Sequence, residues 1–231
     1  MGRVVVTGGA GGIGRAIVQA AQAAGHVAVS FDLYPNPAAD QSVLLDLTDE
    51  PAVAAAFADV GALTGLACIA GINAGPDRVE DLAWDDWSRV MAVNVGGTML
   101  ALKHAHLLGN AGIVLMGSVS AHIGSVGSVA YHTSKGAVLG LMRAASGAFA
   151  PRGIRVNAVS PGWVNTPFTD RGLAALPDGP AIRAQAAAAH LLGRMAEPAE
   201  IAQAVLFLLS EDASFITGTE LVVDGGFLRK K

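Results

Sequence analysis

The chain has little cysteine, little charge and no long apolar run, and each shortage removes a class of protein. Its one cysteine, Cys68, cannot close an internal disulfide. Lying in an apolar run, it reads as a buried, inert thiol, and the reducing cytoplasm is the expected setting. Only 15% of the 231 residues are charged, 15 basic against 19 acidic for a net charge of -4. No stretch of Lys and Arg is interleaved with aromatics, so a nucleic-acid partner is not expected, and Arg229-Lys230-Lys231 reads as a solvated tail. The apolar stretch about Ala204–Leu209 falls well short of the roughly 18 residues that span a bilayer, so no membrane association is expected. Met1–Thr7 is too short for a secretory segment, and Val6 stands where a myristoylation signal needs Ser or Thr. His104 and His106 face different ways on a helix, and His122 and His132 lack carboxylate or cysteine partners at ligand spacing, so no metal site is expected.

What is present is an apolar majority, 52% of residues, with 29 glycines that follow no collagen repeat. These indicate a globular chain rich in tight turns, and its length suits one α/β domain that needs no covalent staple. Val4–Val6 runs into glycines and then into Ile13, Ile17, Val18 and Ala21 at helical spacing, with Gly25 placed to stop the helix. Short apolar runs recur at Val27–Phe31, Val43–Leu45, Leu66–Ile69, Ile113–Met116, Ile154–Val159 and Leu221–Val223, which predicts about seven strands. Helical patterning fills most intervals: Pro51–Phe57 after a Thr48 cap, Trp84–Leu102, Val129–Phe149 and Pro198–Leu209. Strand–helix alternation predicts a doubly wound parallel sheet flanked by helices, a Rossmann fold, as a single domain over residues 1–231. The long irregular stretch is Gly162–His190, with Pro167, Pro177, Gly179 and Pro180. It reads as a lid over a substrate or as a surface loop carrying a short helix at Ala184–Leu192.

Thr7-Gly8-Gly9-Ala10-Gly11-Gly12-Ile13-Gly14 follows a predicted strand and opens a predicted helix. Glycines at 8, 12 and 14 let the backbone turn tightly and let a pyrophosphate approach the helix amino terminus, where free amides and the dipole favour an anion. Asp32 ends the second strand, where a carboxylate accepts hydrogen bonds from the adenosine ribose hydroxyls and repels a 2′-phosphate. Gly11 offers no cation to hold such a phosphate, although Arg15, just after Gly14, can compensate; NAD is the expected cofactor. Tyr131-His132-Thr133-Ser134-Lys135 sets a phenol and an ammonium on one helix face about one turn apart. A phenol with a reference pKa of about 10 needs such a neighbour to act at neutral pH. Ser118 lies thirteen residues before Tyr131, at the end of the strand Ile113–Met116, a position that its competitors Ser120, Ser125 and Ser128 lack. Together these features indicate a nicotinamide-dependent alcohol dehydrogenase or ketone reductase.

On these residues the chain resembles the short-chain dehydrogenase/reductase family, in its compact single-domain form, over nearly all of its length. The family's TGxxxGxG appears as Thr7–Gly14, its adenine-contacting acid as Asp46 in Asp46-Leu47-Thr48, and its active-site tetrad as Asn94, Ser118, Tyr131 and Lys135. Arg155-Val156-Asn157, Pro161-Gly162, Thr166, Gly193-Arg194 and Asp224-Gly225-Gly226 match later landmarks. One motif departs: where the family usually has Asn-Asn-Ala-Gly, this chain reads Cys68-Ile69-Ala70-Gly71. Ile72-Asn73-Ala74-Gly75 competes for that register, but Leu66–Ile69 is the strand and Gly71 lies 23 residues before Asn94, close to the family's spacing. The lost asparagines imply looser local packing in the central sheet without loss of activity. The resemblance implies cofactor contacts at Gly8, Gly11, Gly12, Ile13, Gly14, Asp32, Leu33, Asp46, Leu47, Ala70, Gly71, Tyr131, Lys135, Pro161, Gly162, Val164 and Thr166. It implies that Asn94 kinks its helix and holds a water linking Lys135 to solvent, and that Lys135 hydrogen-bonds the nicotinamide ribose. In oxidation Tyr131 then takes the hydroxyl proton, Lys135 lowers the phenol pKa, and Ser118 holds the substrate oxygen.

Ser120, His122, Ile123, Trp163 and Phe168 are the candidate substrate residues, a mostly apolar set with no fixed cation; for His122 a solvent-facing position stays equally open. The expected partner is a small, hydrophobic secondary alcohol or ketone. The resemblance also implies a substrate-binding lid over about 162–192. The resemblance further implies a homotetramer through the long helices and the last strand, and Ala137, Gly140, Ala144, Ala145 and Gly147 would permit close helix approach; a dimer stays open. Two rival readings are an NADPH-dependent 3-ketoacyl reductase, against which Asp32 and Gly11 argue, and a catalytically silent NAD-binding sensor or scaffold, which could dispense with the tetrad.

Overall fold

Val4 and Val6 turn one way from the first strand and Val5 the other, yet all three are buried, the pattern of a strand covered on both faces. The computed structural model describes residues 2–75, 78–124, 128–174 and 178–230; Met1, Ser125, Pro177 and Lys231, named above, lie outside them. Seven strands, β1 (Arg3–Thr7), β2 (Val27–Asp32), β3 (Gln41–Leu44), β4 (Leu63–Cys68), β5 (Leu107–Met116), β6 (Arg155–Pro161) and β7 (Glu220–Val223), form one sheet in the order β3-β2-β1-β4-β5-β6-β7. Every pairing is parallel. The order reverses between β1 and β4, which opens a crevice at the carboxyl ends of these strands.

The helices are α1 (Gly12–Ala23), α2 (Glu50–Val60), α3 (Trp84–Met91), α4 (Thr98–His104), α5 (Val129–Phe149), α6 (Pro167–Ala174), α7 (Gly179–Ala188) and α8 (Pro198–Leu209). Val53 and Phe57 of α2, Leu100 of α4 and Val138 and Met142 of α5 cover one face of the sheet. Ile17 and Val18 of α1 and Ile201, Val205 and Leu208 of α8 cover the other. This is the doubly wound parallel sheet that the alternation predicts, a Rossmann fold. Among the described residues no helix is long and apolar enough to cross a membrane. Cys68 is buried in β4, and burial pushes its thiol pKa up to about 12, so it stays protonated.

The structure departs from the sequence reading in several places; β5 starts at Leu107 and not at Ile113, and the helix expected at Ala184–Leu192 is α7, Gly179–Ala188. Asp49, not Thr48, caps α2: its carboxylate accepts from the Ala52 amide at 3.1 Å, while the Thr48 hydroxyl is drawn to Asp46 at 2.7 Å. The predicted helix Trp84–Leu102 is interrupted between α3 and α4 by a wide π turn, Ala92–Gly97. The stretch after Gly162 is more helical than its prolines suggest, because Pro167 opens α6 and Pro180 stands in the first turn of α7, where a missing amide costs nothing. The end of β4 is not left loose, because the Thr7 hydroxyl accepts from the Ile69 and Ala70 amides at 3.1 and 3.3 Å.

Arg155, 8% exposed at the start of β6, ties the sheet to α8 without any carboxylate. Its guanidinium donates to the carbonyls of Leu208, Leu209, Ser210 and Ala213 at 2.7–3.1 Å, saturating the negative end of the helix. Arg155→Met is expected to lower the unfolding free energy by about 2 kcal/mol, read from the urea midpoint, because four carbonyls lose a charged donor.

Candidate active site

Tyr131 stands in the first turn of α5 and Lys135 one turn on, so both project to the same side. The Lys135 Nζ lies 5.4 Å from the Tyr131 ring centroid and donates to the Met116 carbonyl, the last of β5, at 2.9 Å. Ser118, two residues past that strand, accepts from the Ser120 amide at 3.1 Å, and its hydroxyl stands near enough to the phenol to favour the ionised form. The start of α5 is held in an unusual way: Ser128 adopts a left-handed backbone, φ 55°, that a serine rarely takes. Its hydroxyl donates to the Gly75 carbonyl at 3.0 Å and accepts from the Asn73 amide at 3.2 Å, which fixes the turn leading to Tyr131.

Asn94 lies in the π turn and is 1% exposed. Its side chain pairs with the Ile72 backbone, accepting from the amide at 2.8 Å and donating to the carbonyl at 3.0 Å, and it donates to the Ser134 hydroxyl at 2.9 Å. A carboxamide engaged on both ends pulls its helix turn toward the end of β4, a direct cause for the widened turn. A Cβ added to Gly71 would meet Asn94 Oδ1 at 3.3 Å and Lys135 Nζ at 3.5 Å, so these three residues share one small volume. Because β4 ends at Cys68, it is Ala70-Gly71, and not Ala74-Gly75, that reaches this point.

The electrostatics differ from the sequence expectation that Lys135 lowers the phenol pKa. Burial pushes the Tyr131 phenol up, and the nearby Ser118 hydroxyl opposes this only in part. Burial also pushes the Lys135 ammonium down to about 8. The ammonium is committed to the Met116 carbonyl, away from direct contact with the phenol oxygen, so desolvation governs both groups.

The glycine turn joins β1 to α1. Gly8 has φ 68°, and a Cβ on it would come within 2.8 Å of the Ala70 Cα; on Gly12 it would meet Thr166 Cγ2 at 2.7 Å. On Gly14 it would run into the Gly8 carbonyl, so α1 can start this close to β1 only with glycine there. No side chain caps α1 and no acid stands in its first turn, which leaves its amides open to an anion. Asp32, half-buried at the end of β2, has one carboxylate oxygen on the Ala10 amide and the other on the Tyr34 amide, each at 3.0 Å. The remaining lone pairs fit a vicinal diol such as that of a ribose. Asp46 is exposed and accepts from the Thr48 amide and hydroxyl, whereas Leu33 is exposed and Leu47 buried. Pro161, Gly162, Val164 and Thr166 continue from β6 past Gly12. A cradle that side chains would fill, an open helix terminus and an anchored carboxylate together suit a dinucleotide.

A family model described as enoyl-(acyl carrier protein) reductase matches residues 8–228. The 2-(S)-hydroxypropyl-CoM dehydrogenase 3 of Xanthobacter autotrophicus is 38% identical, covering 96% of this chain and 95% of that protein. The cis-4-hydroxycyclohexanecarboxylate dehydrogenase of Sinomonas cyclohexanicum is also 38% identical, over 96% of this chain and 95% of that protein. In structure, the ligand-free aldohexose dehydrogenase of Thermoplasma acidophilum superimposes with a TM-score of 0.93 at 32% identity, covering 99% of this chain and 94% of that one. The chain belongs to the short-chain dehydrogenase/reductase family. It is an oxidoreductase of that family, whose dehydrogenases use nicotinamide cofactors.

Within this short-chain dehydrogenase/reductase, the substrate-side candidates are distributed unevenly. Phe168 of α6 lies with its ring 6.1 Å from that of Tyr131, and the Trp163 amide is held by His190. Ser120 stays beside Ser118, whereas the contact of His122 is Glu220 at the start of β7, Nε2 to Oε1 at 2.7 Å. Two of the buried polar residues that went unread in the sequence bear on the site. One is His190; the other is Asn36, 0% exposed, which donates to the Gly9 carbonyl at 2.8 Å and accepts from the Ala38 amide at 3.1 Å. Asn36 thereby ties the loop after Asp32 to the glycine turn. Its only sequence signal is an asparagine between two prolines, which reads as an ordinary turn. Asn36→Ala is expected to weaken dinucleotide binding about fivefold to tenfold, by loss of this tie, with kcat nearly unchanged; titration of the purified variant checks it.

Proposed function

We propose that the protein is an NAD-dependent dehydrogenase that interconverts a hydrophobic secondary alcohol and its ketone, with Tyr131 as the acid/base. The observation that carries this reading is the convergence of Tyr131, Ser118, Lys135 and Asn94 at the carboxyl ends of β4 and β5. A bound nicotinamide supplies the acceptor for the hydride of the alcohol carbon. Tyr131 Oη takes the hydroxyl proton in oxidation and returns it in reduction, and Ser118 Oγ holds the substrate oxygen in line with it. Lys135 neutralises the phenolate as it forms, and Asn94 keeps the adjoining backbone in place. The carboxylate of Asp32 supports NAD over NADP, since a 2′-phosphate would meet a like charge there.

Relatives named for hydroxypropyl and hydroxycyclohexane substrates support a secondary alcohol. Ser120, Trp163 and Phe168 offer a mostly apolar wall, with α6 and α7 as the lid; His122 faces Glu220 and is a weaker candidate. We read residues 1–231 as one domain and place the enzyme in the cytoplasm as a homotetramer, in which the small residues of α5 permit close helix approach. The enoyl-reductase description of the matching family model favours a second reading, acyl-thioester reduction with NADPH. Initial rates with NAD and NADP against secondary alcohols, cyclic diols and hydroxyacyl thioesters separate the two. Turnover confined to NADP would overturn the role of Asp32, and NAD binding without any turnover would favour a silent sensor.

Tyr131→Phe is expected to reduce turnover at least about a hundredfold with NAD binding retained. The pH profile follows from the two shifts. Oxidation needs the phenolate, and burial pushes the Tyr131 phenol above its ordinary value, while the Lys135 ammonium is pushed down to about 8. The oxidation rate should therefore climb with pH toward the phenol range above about 10, whereas ketone reduction, which needs the phenol, should persist at neutral pH. Lys135→Met should lower the oxidation rate at every pH below that range, because the phenolate then forms with no cation beside it.

A further inference from the structure

His190 is 2% exposed, and the chemistry above makes no use of it. It stands just past α7, where three segments meet. Its ring lies 5.4 Å from that of Phe227 in the carboxyl-terminal turn and rests against Gly225. On the other side it occupies the space of a side chain at Gly162, where a Cβ would come within 2.6 Å of Nε2. Each ring nitrogen is committed to one backbone group: Nδ1 is 2.8 Å from the Ala186 carbonyl oxygen, and Nε2 is 3.2 Å from the Trp163 amide nitrogen.

Those partners decide the tautomer. A carbonyl only accepts, so Nδ1 carries the proton; a backbone amide only donates, so Nε2 offers its lone pair. We infer that His190 is a positioning residue for the substrate site. As the neutral Nδ1–H tautomer it clamps the Gly162–Trp163 backbone to the end of α7 and thereby sets the Trp163 indole as a wall of the alcohol pocket. This rests on reading Trp163 as substrate-facing. Because the ring also fills the space above Gly162, the backbone it holds cannot settle against it in another arrangement without displacing the ring.

Two substitutions separate the two bonds. His190→Gln carries its carboxamide out to the reach of Nε2 and can still accept from Trp163. His190→Asn reaches only as far as Nδ1 and can keep just the tie to Ala186. Trp84→Phe with Trp87→Phe leaves Trp163 as the single tryptophan of the three, so its emission reports on it directly. In that background His190→Gln should keep the emission maximum and hold kcat/KM for the alcohol within about threefold of the parent. His190→Asn should shift the emission to the red and lower kcat/KM at least about fivefold, the lower bound for orphaning a buried donor. The change should fall on the KM for the alcohol more than on NAD affinity measured by titration. Identical behaviour of the two variants, or a loss confined to the thermal midpoint with emission and alcohol KM unchanged, overturns the inference. If the parent turns over no alcohol, the dehydrogenase reading fails, while the emission comparison still decides whether His190 holds Trp163.

Discussion

The burial of Lys135 is the constraint around which the rest of the site is arranged. An ammonium that is 3% exposed has lost nearly all its water, and the Met116 carbonyl replaces only part of it. Among the described residues it has no carboxylate partner; the groups beside it are a backbone oxygen, the Asn94 carboxamide and the open face of Gly71. Such a cation retains an unmet demand for negative charge. The phenolate of Tyr131, costly by itself in the same dry space, is the charge that meets it. Burial disfavours each charge by itself, so an ammonium beside a phenolate would relieve both, which is the electrostatic requirement of the acid/base role proposed for Tyr131.

Backbone, more than side chains, delivers the elements to that point. The crevice forms because β1 and β4 are neighbours whose chains leave in opposite directions. Gly14 lets α1 begin against the Gly8 carbonyl, and Gly71 leaves room for Asn94 and Lys135. At the carboxyl end of β2 the same economy appears, as Asp32 and Asn36 both hold the glycine turn from below through backbone groups, at Ala10 and Gly9. A carboxylate so anchored presents its free lone pairs in a fixed direction.

The alternation of strands and helices was legible because each strand is a short apolar run and each long helix has a face of period near 3.6. Tyr131, Lys135 and Ser118 were legible for a different reason: two share one helix face and the third ends a strand, so spacing alone brings them near one another. Periodicity did not report the π turn, since an apolar pattern through Val90, Val93 and Val95 is equally that of an unbroken helix; only the family resemblance implied a kink at Asn94. Its cause is a bond between Asn94 and Ile72, 22 residues away, which periodicity cannot report. His190 and Asn36 were hidden likewise, because their partners are backbone amides and carbonyls, which carry no residue identity. The prolines at 167 and 180 misled in the other direction, since the same residue that breaks a helix interior is at home in its first turn.

The end of β4 shows why one departure from the family's motif is tolerable. Where Asn-Asn is usual, Cys68 and Ile69 have no polar side chain to hold the chain after the strand. The Thr7 hydroxyl, at the matching end of β1, accepts from the two amides that follow, Ile69 and Ala70. The bonds that steer Ala70 and Gly71 past Gly8 come from the neighbouring strand and need only backbone donors from β4. A side chain can be replaced there by an apolar one because the hydrogen bonding that sets the path of the chain resides in Thr7. The apolar side chain at 68 then adds to the core beneath the site, where Cys68 packs with Val5, Leu66 and Leu115.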